Sequence, residues 1–293
     1  MRLRGSISNA ALIYNVSSTL DKFGRNILVK FLPESLQLIL QSSLDAGMQV
    51  YSSIPVKKIF SEYLLEPSEG DGIYIELEAE LLTRSLKSSS DSITKFRATR
   101  KDDVAYLKFS TTHRSRNKAE VTLSQDIPIR ILTLDQIGVV NDFELPTPDI
   151  QFRLPAIEQL RSEMARIAKF STKVLVAANL KGLFYLQAIS LEANIKVTFD
   201  HTTELNFNVL PEEFYTNSIK YQNRDRSLPA KIRVLMKDLK NCFSSPVVTQ
   251  RTTVCGIIEN HMLTICCLLV SPLGDSMGRV TFCFPCNYDD DQV

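Results

Sequence analysis

The chain has 293 residues, 44% of them apolar and 23% charged, with 34 Lys+Arg against 33 Asp+Glu and a net charge of +1. That length allows two domains of ordinary size, and the composition belongs to a globular protein, not a disordered one. Near-neutrality excludes an indiscriminate nucleic-acid coat but leaves room for a local basic surface. No apolar run approaches the ~20 residues of a bilayer-spanning helix. The opening MRLRGSISNAALIYNV also lacks the continuous apolar stretch of a signal peptide, so a soluble intracellular protein with no membrane role is expected.

From the N-terminus, MRLRGSI is predicted as a strand feeding into a helix over SNAALIYNVSSTLDKFG. The strands RNILVKFL, SLQLILQS and MQVYSSIPV follow, the first two parted by Pro33-Glu34. Past the tight-turn signal Gly70-Asp71-Gly72, GIYIEL runs straight into a second helix, EAELLTRSLKSSSD. VAYLKFST, after the breaker Lys101-Asp102-Asp103, and AEVTLSQ read as strands. In the former, Leu107 and Phe109 alternate with Lys108 and Ser110, as in an antiparallel sheet with one wet face. LTLDQIGVVNDFELPTPD has two prolines, several acids and no sustained period, and reads as an interdomain connector.

The second half repeats the scheme. DIQFRL feeds a helix over PAIEQLRSEMARIAKFS, followed by the strands KVLVAANL, LFYLQAIS and ANIKVTFD. Residues 201–229 are irregular and read as a long loop or insertion with a short helix at 212–215. AKIRVL then runs into a fourth helix, MKDLKNCFSSP, and GRVTFCFPCN is a strand before the acidic tail YDDDQV. The organisation expected is a first domain over 1–134, a connector over 135–149, a second domain over 150–287 and a tail over 288–293. Two strand-into-helix units fall in each half, an internal repeat of architecture with little sequence identity between the copies.

On a helical wheel the third helix gathers Ile157, Leu160, Met164, Ile167 and Ala168 in one stripe, with Gln159, Ser162, Arg166 and Lys169 opposite. The second packs Leu81, Leu82 and Leu86 and turns out Glu80, Thr83, Arg84 and Lys87. The first packs Leu12, Ile13, Val16, Leu20 and Phe23, leaving Tyr14, Ser18, Asp21, Lys22 and Arg25 outside. The short fourth packs Leu239 and Phe243 and exposes Lys237 and Lys240. A charged outer face is ordinary for a surface helix, and cations near its C-terminus complement the dipole. Four helices at equivalent positions of a repeat, each presenting two cations, would merge on one side of a sheet into a basic wall. Such a wall suits a phosphate backbone without base readout. Tyr14 is the one aromatic on these faces, which favours duplex over single-stranded nucleic acid. No helix-turn-helix, zinc-finger or basic-zipper pattern is present.

Chemistry-bearing motifs are missing: no G-x-S-x-G, no phosphate-binding G-x-x-x-x-G-K-[ST], no G-x-G-x-x-G and no H-E-x-x-H. His113, His201 and His261 lie far apart, near predicted loops or a strand turn. The six cysteines, Cys242, Cys255, Cys266, Cys267, Cys283 and Cys286, all follow residue 240. Cys283 and Cys286 have C-x-x-C spacing, but no second ligand pair of zinc-site spacing accompanies them. They are expected as buried or interfacial thiols, with at most one of the adjacent Cys266 and Cys267 facing the core. Neither a cofactor nor a metal is expected. A zinc-binding two-domain enzyme stands as the alternative from another class.

Taken in order, MRLRGSISNAAL, IYIELEAELLTRSLKSSSDSITKFRAT, QDIPIRIL and PDIQFRLPAIEQLRSEMARI are similar to segments of the sliding DNA clamps. Among these the chain resembles the Hus-type subunit of the heterotrimeric nine-one-one checkpoint clamp. The likeness spans most of residues 1–200 and, more loosely, 230–287; residues 201–229 and the cysteine-rich end depart from it. The resemblance implies an α+β, PCNA-like fold of two repeated domains, each with antiparallel sheets and two helices lining a central hole. It implies a ring with two paralogous Rad-type subunits around duplex DNA, loaded by an ATP-driven clamp loader in the nucleus and recruiting repair and checkpoint proteins. Lys22, Arg25, Arg84, Lys87, Arg166, Lys169, Lys237 and Lys240 take the DNA-facing role by that likeness. Strand edges containing Ala119, Val121, Leu123 and Gln125, and Ala193, Ile195, Val197 and Phe199, take the subunit-interface role. Partner peptides would dock beneath the connector. A homotrimeric replicative clamp is the alternative within the fold.

Overall fold

The computed structural model describes residues 2–41, 47–87, 93–114, 120–137, 146–190, 193–199, 224–249 and 253–287. They gather into two compact units. The first takes Met1–Gln41, Val50–Phe143 and Val270–Val280; the second takes Ser42–Gln49, Glu144–Leu269 and Thr281–Val293. Val270–Val280, which the sequence reading assigns to the second domain, thus gathers with the first unit.

The first unit begins with β1 (Arg2–Ile7), α1 (Ala10–Leu20), β2 (Asn26–Phe31), β3 (Ser35–Gln41) and β4 (Gln49–Pro55). It continues with β5 (Phe60–Glu66), β6 (Ile73–Glu78), α2 (Ala79–Lys87), β7 (Ile93–Lys101), β8 (Val104–Arg114) and β9 (Glu120–Ile131). The one-turn helix α3 (Leu134–Ile137) follows, where the sequence reading has an aperiodic connector. Residues 138–145 of that connector lie outside the described residues. Strand order is β4-β3-β2-β6-β9-β8-β7-β1-β5. The registers are antiparallel, as for β7 with β8 and β8 with β9. Asn9 caps α1 by accepting a hydrogen bond from the Leu12 N–H at 3.2 Å. Val16 and Leu20 of α1 and Leu86 of α2 are buried with Ile27, Ile75 and Leu107 of the sheet. Between β3 and β4 the buried Ser52 hydroxyl accepts from Leu38 N–H at 3.0 Å and donates to Leu38 C=O at 2.9 Å.

The second unit holds β10 (Ile150–Arg153), α4 (Ile157–Ile167), β11 (Lys173–Ala178), β12 (Phe184–Ile189) and β13 (Asn194–Phe199). β14 (Ala230–Leu235), α5 (Met236–Phe243), β15 (Thr253–Ile258), β16 (Met262–Val270) and β17 (Ser276–Pro285), the last from Thr281 onward, complete it. The strands run in the orders β13-β12-β11-β14 and β10-β15-β16-β17. Leu160, Met164 and Leu239 are buried, as are Phe152, Phe184 and Phe282 of the strands. The repeat is visible in one hydrogen bond common to both units. The first N–H of α2, at Ala79, donates to Arg25 C=O at 2.8 Å, and that of α5, at Met236, donates to Thr172 C=O at 2.8 Å. In each unit the second helix starts against the segment that follows the first. The turn satisfies a helix N-terminal donor that would otherwise be orphaned.

Several expectations are corrected here. Cys266 and Cys267 are both buried, because both faces of β16 are covered. Lys22 and Arg25 lie beyond the end of α1, and Lys169 beyond the end of α4. His113 falls within β8, not in a loop. The sequence reading also passes over β5, β7 and β15 as strands. The predicted helix at 212–215, the 201–223 part of the insertion, His201 and the 288–293 tail lie outside the described residues.

Candidate DNA-facing and subunit-edge surfaces

All eight basic residues singled out on the helix faces are exposed. Arg84, Lys87, Arg166, Lys237 and Lys240 stand on the helices themselves, while Lys22, Arg25 and Lys169 occupy the turns that leave α1 and α4. The arginines are held by carboxylates of their own surface. Arg25 pairs with Glu78 at 2.8 Å, Arg84 pairs with Glu80 one turn back, and Arg166 pairs with Glu163 at 3.0 Å. Among the described residues, Lys87, Lys169, Lys237 and Lys240 have no such ion-pair partner. The wall is therefore a mixed surface of paired arginines and open lysines. α1 packs against α2, and α4 against α5, so each unit brings its four cations to one helix pair. Sequence reasoning missed Arg161, whose Nε donates to the Phe243 carbonyl and ties α4 to the C-terminus of α5.

The two strands singled out as edges are open in different ways. β9 pairs with β8 along its length, but with β6 only through Arg130 and Ile131, so among the described residues its other side is unpaired from Val121 to Ile129. Leu123 lies opposite buried Thr111, and Gln125 opposite buried Phe109. This row continues the core face of the sheet beyond the core, which leaves Val121 57% and Leu123 41% exposed. Ala119 lies outside the described residues. Among the described residues β13 is the outer strand of its sheet and pairs only with β12. Ile195 and Val197 are half-buried and Phe199 is buried. Ala193 precedes the strand, and its N–H and C=O are taken up by Ser190 at 3.1 and 2.8 Å, so it belongs to the turn and not to the open edge.

A groove beside β13 is lined by Ile195 and Val197 together with Arg166, Ile167, Lys169 and Phe170 from the end of α4. Phe170, which the sequence reading packed nowhere, is 46% exposed there. Arg166 and Lys169 thus border the strand edge as well as the helix face. On β13 itself Lys196 Nζ sits 3.9 Å from the centre of the Tyr185 ring, which braces the edge strand on its neighbour.

Burial raises the Cys255, Cys267 and Cys283 thiols above their ordinary range, which disfavours the thiolate that metals and nucleophilic chemistry require. Among the described residues no group of three or more His, Cys, Asp or Glu side chains is arranged to hold a metal ion. No helix among them is long and apolar enough to cross a membrane.

Repeated helix pairs on antiparallel sheets define a PCNA-like clamp fold. PCNA of Thermococcus kodakaraensis superposes with a TM-score of 0.67 at 12% identity, covering 97% of this chain and all of that one. A. fulgidus PCNA, solved with the C-terminal region of FEN-1, gives 0.65 at 14% identity over 99% of this chain and 100% of that one. Within the clamps, residues 1–284 match the family described as Hus1-like protein, and the chain belongs to that family. It is 23% identical to checkpoint protein hus1 of Schizosaccharomyces pombe over 96% of this chain and 98% of that protein. It is 22% identical to checkpoint protein HUS1 of Homo sapiens over 90% and 93%. It is a Hus1-type checkpoint-clamp subunit.

Proposed function

We propose that the chain is a non-catalytic subunit of a heterotrimeric ring that encircles duplex DNA in the nucleus and recruits signalling and repair proteins. Its neighbours are two paralogous Rad-type clamp subunits, and a separate ATP-driven loader opens and closes the ring. The observation that carries this reading is the pair of bare strand edges, β9 in one unit and β13 in the other, each flanked by exposed apolar side chains. An open edge with apolar flanks is an aggregation hazard unless another chain covers it. Burying the exposed remainder of Val121, Leu123 and Phe170 would contribute about 1 kcal/mol each. Two different edges, rather than one self-complementary patch, suit head-to-tail closure of a ring. In such a ring the helix pairs line the hole, with Lys87, Lys237 and Lys240 facing phosphates directly. The arginines exchange their carboxylate partners for phosphate oxygens. Weak, interchangeable phosphate contacts hold duplex without stopping its passage.

The test is the mass and subunit composition of the tagged protein isolated gently from its own cells. Three different clamp-like chains in equal numbers are expected. A homotrimer would redirect the reading to a replicative clamp, and a monomer would overturn the ring.

A further inference from the structure

The outer face of the first unit's sheet carries a charge arrangement used by neither the helix faces nor the strand edges. Arg4 on β1 is the cross-strand partner of Arg97 on β7, and Arg97 is in turn the partner of Lys108 on β8. Two residues along, Lys95 lies between Ser6 on β1 and Ser110 on β8. Thr94 and Phe96 are buried in the core, so the alternation of β7 sends Lys95 and Arg97 out of the opposite side. The four cations line one groove of about 630 Å³. Two carboxylates share the area: Glu62, which accepts from the Ser6 hydroxyl at 3.2 Å, and Asp126, 3.8 Å from Lys108. Among the described residues Arg4, Lys95 and Arg97 have no ion-pair partner.

Like charges directly opposite one another destabilise an antiparallel pair. Here two such pairings stand in a row, Arg4 against Arg97 and Arg97 against Lys108, on strands about 4.8 Å apart. Folding of the sheet does not require them, whereas a shared anion would reverse their sign from cost to gain.

The spacing selects the anion. Three cations across adjacent strands span about 10 Å, and Lys95 stands about 7 Å further along. That is the footprint of one or two phosphoryl groups with flanking carboxylates. A tracked nucleic-acid strand would also want stacking surfaces. Of the groove's two aromatic residues, Phe96 is buried. Tyr63 stacks on Phe60 with centroids 5.0 Å apart and donates its hydroxyl to Leu32 C=O at 3.1 Å. Neither ring is offered to a base. Half-exposed Leu64 and the Ser110 hydroxyl supply the apolar and neutral polar contacts of an extended peptide. We propose that this groove docks a phosphorylated acidic peptide segment of a partner protein. Arg4 and Arg97 fork onto phosphate oxygens, and Lys95 and Lys108 meet the neighbouring carboxylates.

The test is fluorescence anisotropy on the full chain in its native assembly. The probe is a labelled peptide of Asp and Glu carrying two phosphoserines, compared with its unphosphorylated form and a short DNA duplex. The phosphopeptide is expected to bind at least about tenfold more tightly than the unphosphorylated one, and Arg97→Gln to weaken it about tenfold or more. Arg4→Gln should do the same independently. Because it relieves the cross-strand repulsion, Arg97→Gln should leave the melting midpoint unchanged or raised, and duplex binding untouched. Absence of phosphopeptide binding, or equal binding by Arg97→Gln, overturns the proposal. So does a lowered midpoint, which would make Arg97 a structural residue. A duplex that competes with the peptide and loses affinity in Arg97→Gln would assign the groove to nucleic acid and overturn it equally.

Discussion

Arg25, Arg84 and Arg166 each lean on a carboxylate of their own surface, and such exposed pairs contribute only about 0–1 kcal/mol. In the proposed DNA-facing role their value would be positional: the fork is held outward, and a phosphate would displace the carboxylate at little cost. Asp21 shows the other side of this mixed surface. Burial, and then the nearby Glu80, hold its carboxyl above the usual carboxylate range. A carboxyl raised on folding contributes its stability below the unfolded value and loses it as pH rises through the folded one. Asp21→Asn should therefore melt higher than the parent at neutral pH, and the gap should close in acid below the ordinary carboxylate range. A gap that stays constant with pH would remove the electrostatic account. The apolar stripes and outward cations could be read from the helical period alone. The Arg25–Glu78 pair could not, because its residues stand 53 positions apart in the chain and meet only once β2 and β6 pair.

At the scale of elements, the helices were legible because each has a 3.6-residue stripe and follows a strand with little or no loop. Strands were legible where they alternate, as β8 does, and missed where another demand hides the period. β7 carries Lys95, Arg97, Arg100 and Lys101, and its inward Phe96 is the one large apolar signal between them. β15 is buried on both faces, so it shows no alternation at all. The edges behave differently again. Ala193 looks like strand in the run ANIKVTF, yet the Ser190 hydroxyl and backbone claim it for the turn. Leu123 gives the test of the β9 edge. Leu123→Lys leaves a partly exposed position partly exposed, so the subunit should fold as before, while assembly weakens about tenfold or more as a charge replaces an apolar side chain. Assembly measured by sedimentation and unaffected by Leu123→Lys would dismiss this edge as an interface.

For the whole molecule, a net charge of +1 coexists with two helix pairs that each present four cations, because acids are spent elsewhere and within the arginine pairs. Sliding on duplex, as proposed, would demand this restraint, since many unpaired cations would hold it too tightly. Replacing Lys87 and Arg166 together by Glu should weaken DNA association of the assembled protein. The salt dependence should flatten by roughly 0.9 in log–log slope for each phosphate that is no longer neutralised. Assembly must be measured alongside, because Arg166 also borders the β13 groove. An unchanged slope with intact assembly would take these residues off the DNA-facing surface.

By itself the sequence determined the repeated strand-into-helix units, the inward stripes, the outward cations and the likeness to the Hus-type clamps, because all of these are carried by neighbours along the chain. Tertiary structure alone decided that Ala193 belongs to a turn and that both Cys266 and Cys267 are covered. It alone brought Phe170 beside β13, and Arg4, Arg97 and Lys108 into one row. Those outcomes depend on which strands pair and in what register. Pairing joins residues tens of positions apart, where no local period carries a trace of the partner.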